Sequence, residues 1–65
     1  MSVQSMILAQ LGQMGIQIER VSSEAMNGIA KDIAEMTDSG LDFDDKDQIK
    51  ELEKVILWHM HKHPV

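Results

Sequence analysis

An apolar seam constrains this chain more than any other feature. Val3, Ile7, Leu11, Met14, Ile18, Val21, Ala25, Ile29 and Met36 succeed one another at steps of three or four, with one step of seven. At about 100° per residue on an α-helix they fall within roughly 80° of one another. A stripe this narrow is closer to a coiled-coil edge than to the broad face of a globular helix. Its phase runs unbroken past Gly12, Gly15 and Ser22-Ser23-Glu24. The periodicity therefore predicts one long, bent helix over about 3–37. Two weak points keep an alternative open. Each glycine costs about 1 kcal/mol against Ala in a helix interior, and Ser22 can cap a fresh helix start. The chain would then form helices over roughly 3–14 and 23–37, in a three-helix bundle broken near Gly15.

Thr37-Asp38-Ser39-Gly40 stops the helix, because Gly40 can take the left-handed conformation that follows a helix end. Leu41 and Phe43 are expected to tuck beneath the turn. Asp45 with Gln48 three residues later resembles a capping box, and Asp44 is an equally good cap. A second helix follows over about 45–62, with Ile49, Leu52, Ile56 and Met60 inward and His59 and His63 beside them. Leu57 and Trp58 face the other way. Asp32 falls inside the seam, where an unpaired carboxylate is costly, so a Lys or water is its expected partner. The fold class is all-α, one domain over residues 1–65, arranged as a small antiparallel helical hairpin.

A length mismatch bears on assembly. At 1.5 Å per residue the seam is about 50 Å long, whereas the second helix covers about 26 Å. If the first helix is continuous, Val3, Ile7, Leu11 and Met14 have no cover within the chain. Each is worth about 1.5–3 kcal/mol when buried, so self-association through these four residues into a homodimer is expected.

Composition removes several function classes. Six Lys and Arg against eleven Asp and Glu make direct nucleic-acid or anionic-lipid binding unfavourable. No apolar run approaches a membrane span, and Met1-Ser2-Val3 lacks the basic start of a signal peptide. With no Cys, a cytoplasmic setting is expected. Catalysis has little to stand on: there is no Cys or Tyr and only Arg20 among arginines. Ser22 and Ser23 are remote in sequence from the histidines, so no nucleophile–His–carboxylate set is suggested. The expectation is a protein that is not an enzyme and takes no cofactor. The aspartates from Asp38 to Asp47 miss the EF-hand pattern, which requires Gly at the sixth position and Glu at the twelfth. His59 and His63 stand one helical turn apart, a spacing that can clasp zinc or copper. A third ligand is missing, and imidazoles also suit a helix C-terminus, so no metal is assigned.

The sharpest chemical feature is acidic. Glu35, Asp38, Asp42, Asp44, Asp45, Asp47, Glu51 and Glu53 are eight of the eleven carboxylates, and only Lys46 and Lys50 offset them in that stretch. Such a ridge can imitate the phosphates of nucleic acid and occupy a Lys/Arg-lined groove on a partner protein. Acids also serve as turn residues and helix starts. Leu57 and Trp58 form a second, apolar candidate, since an exposed Trp beside a Leu suits a partner anchor.

In size, acidity and helix content the chain is similar to the small inhibitors that bacteriophages and mobile elements make against host defence, such as anti-CRISPR proteins. It also resembles small helical secretion co-chaperones. The first resemblance implies an inhibitor whose acidic segment blocks a basic, nucleic-acid-binding surface. The second implies a module that docks a partner helix on its apolar seam.

Overall fold

The computed structural model describes residues 3–65, with the side chain of Val3 outside the description. It is all-helical among those residues: α1 spans Val3–Gln13, α2 spans Ser23–Asp38 and α3 spans Lys46–Lys62. A single 3₁₀ turn, Ile18–Arg20, lies between α1 and α2. The continuous helix over 3–37 is thus corrected, and the bundle broken at Gly15 is the architecture found.

The break has a clear local cause. Ile16 N–H donates to Leu11 O at 2.9 Å and Gly15 N–H donates to Gly12 O at 3.1 Å. Gly15 itself sits at φ +74°. Together these make a Schellman motif, in which the two bonds satisfy carbonyls that the helix end would orphan. The end of α2 repeats the device. Leu41 N–H donates to Met36 O at 2.9 Å, Gly40 N–H donates to Thr37 O at 3.0 Å, and Gly40 takes φ +94°. In both motifs an apolar residue follows the glycine and turns back towards the helix it closes.

The restart of α2 is held by one hydroxyl. Ser22 Oγ accepts from Ala25 N–H at 3.1 Å as the N-cap, and donates to the carbonyl of His63 at 2.6 Å. The start of α2 is thereby tied to the end of α3, as an antiparallel pair requires. Asp45 caps α3, its Oδ1 accepting from Asp47 N–H at 2.9 Å.

With the chain folded back at Gly15, the seam is used internally. Ile7 and Leu11 are 1% and 2% exposed and join Ala25, Ile29, Ile33, Leu52 and Ile56 in the core. Met14 packs against this cluster. The grounds for self-association through Val3, Ile7, Leu11 and Met14 are therefore removed: Ile7 and Leu11 already have cover, and the Val3 side chain is not among the described residues. Ile18, by contrast, is exposed in the 3₁₀ turn although it keeps the seam's phase.

Two glycines three residues apart should respond in opposite ways. Gly12 is inside α1 with open space around its Cα, so Gly12→Ala should stabilise by about 0.5–1 kcal/mol. Gly15→Ala should destabilise by about 1–2 kcal/mol, because an L residue resists the left-handed region. Thermal melts of the two variants check this; a stabilising Gly15→Ala would mean that the helix runs through.

Candidate protein-binding surface

The acidic residues converge at the end of the bundle where α2 turns into α3. The turn is pinned by its own polar groups. Asp42 N–H donates to Gln48 Oε1 at 2.6 Å, and Asp42 Oδ1 accepts from Asp44 N–H at 2.9 Å. Gln48 Nε2 reaches Asp45 Oδ2 at 3.4 Å. The expected capping box is therefore modified: Gln48 reaches back to the side chain of the cap and to the backbone of Asp42. Leu41 is half-buried, but Phe43 is exposed at the rim of a groove. The expectation that both tuck under the turn holds for Leu41 only, because the short pinned turn carries Phe43 outward.

Six of the eight acids, Glu35, Asp38, Asp42, Asp44, Asp47 and Glu51, are exposed, while Asp45 and Glu53 are half-buried. Glu51 is 3.4 Å from Lys54 Nζ, the one ion pair these eight make among the described residues. Outside residues 35–53 the chain holds three carboxylates against four Lys and Arg, so this end carries the whole net negative charge.

Local helix physics accounts for only part of the cluster. Asp45 and Asp47 cap and open α3, where the helix dipole favours anions. Glu35 and Asp38 stand in the last turn of α2, which has no basic residue. The dipole there disfavours a negative charge. Those two carboxylates are held at a cost to the fold.

Leu57 and Trp58 lie farther along α3, about 15 Å from its acidic start at 1.5 Å per residue. They are 52% and 58% exposed, as their off-face positions predict. The Trp58 ring meets the His59 imidazole edge-on, centroids 4.9 Å apart, and Lys62 Nζ lies 5.9 Å from its centre. The fold does not bring this pair onto the acidic end.

His59 has a structural place that sequence reasoning did not find. It is buried, and its Nε2 lies 2.6 Å from Asp32 Oδ2. The polar residue interrupting the face of α2 thus meets the one interrupting the face of α3, and Asp32 takes His59 in place of the expected Lys or water. The ring fits because position 28 is glycine: a Cβ there would lie 2.5 Å from His59 Cε1 and Nδ1. Nδ1 is buried without a hydrogen-bond partner, while the Asp32 carboxylate is partly exposed. His63 is exposed, and with His59 committed to Asp32 the two histidines do not form a chelate. Among the described residues no group of three His, Cys, Asp or Glu is placed to hold a metal ion.

Comparison with protein-family models, with curated proteins and with solved structures finds no match. No helix among the described residues is long and apolar enough to cross a membrane.

Proposed function

We propose that this protein is a small acidic binding module, not an enzyme, whose turn end docks on a basic surface of another protein. The observation that carries this reading is the exposed placement of Glu35 and Asp38 at the C-terminal end of α2, where they oppose the helix dipole and extend the carboxylate surface of the turn. Asp42, Asp44 and Asp47 extend the same exposed surface around the turn. A rigid cluster of carboxylates competes with nucleic acid for a Lys/Arg-lined groove, so the module acts as an inhibitor by occupancy and charge, of the anti-CRISPR type, in the cytoplasm.

Two measurements test the reading together. Glu35→Gln with Asp38→Asn should raise stability by about 0.5–2 kcal/mol, since each exposed dipole clash is worth about 0.3–1 kcal/mol. The same variant should lose partner capture from a lysate of the native host. Wild-type capture should fall steeply between low and high salt, and the captured protein should release its DNA or RNA when the module binds. Capture that survives both high salt and the amide substitutions would overturn the proposal.

A further inference from the structure

We draw no further inference here: the strongest candidate, the exposed surface patch that Leu57 and Trp58 form with Lys62 on α3, is an unpartnered apolar face, and nothing in the structure shows what covers it.

Discussion

Leu11→Asp should unfold the protein outright at room temperature, at every concentration. Leu11 is 2% exposed and packs with Ile7, Ile29 and Ile56 in the single core. Removing the leucine costs about 2–5 kcal/mol in lost burial and cavity. A carboxylate placed there without a partner must stay charged in apolar surroundings or take up a proton, and either adds several kcal/mol. A chain of this length has only about 3–10 kcal/mol in total, at the usual stability per residue. Circular dichroism should show loss of helicity with no cooperative melt. The wild-type protein provides the control. Its mass in light scattering should remain 7.3 kDa on concentration, with a melting temperature independent of dilution. A concentration-dependent wild-type melt together with a folded, monomeric Leu11→Asp would show that Leu11 faces another copy.

Gly28→Ala is the second large effect, and a less obvious one, since alanine ordinarily improves a helix interior by about 1 kcal/mol over glycine. Here the new Cβ would stand 2.5 Å from two atoms of the His59 ring. The ring is buried and tied to Asp32, so it cannot swing away without giving up that bond. A net loss of about 1–3 kcal/mol is expected from overpacking. In a domain this small each kcal/mol lowers the melting temperature by about 4–8 °C. The mechanism predicts a coupling: in His59→Ala, which leaves space beside residue 28, the added Gly28→Ala should be neutral or stabilising. Additive losses in the double variant would rule out the ring as the cause.

Much of the bundle was legible in the residues before any packing was known. The stop at Gly40, the cap at Asp45 and the inward face Ile49, Leu52 and Ile56 are local matters. They depend on backbone sterics, short-range hydrogen bonds and helical period, all written within a few residues. The exposure of Leu57 and Trp58 follows from the same period. So does the gathering of acids at one turn, since they are close along the chain.

Gly15 shows where local reading stops. Gly15-Ile16 has the same pattern as Gly40-Leu41, yet the unbroken phase of the seam argued for continuity. Phase is weak testimony, because α1 and α2 must each present an apolar face, and a short linker can keep their faces in register by coincidence. Exposed Ile18 is that coincidence made visible. Glycine accepts right- and left-handed conformations almost equally, so its own backbone energy leaves the choice open. Burial makes it: bending the chain there covers Ile7 and Leu11, at about 1.5–3 kcal/mol each, whereas a straight helix strands them. The same holds for the pairing of Asp32 with His59, which are 27 residues apart, and for the groove beside Phe43. Each depends on how three helices pack, a non-local balance of burial against desolvation that no stretch of residues contains.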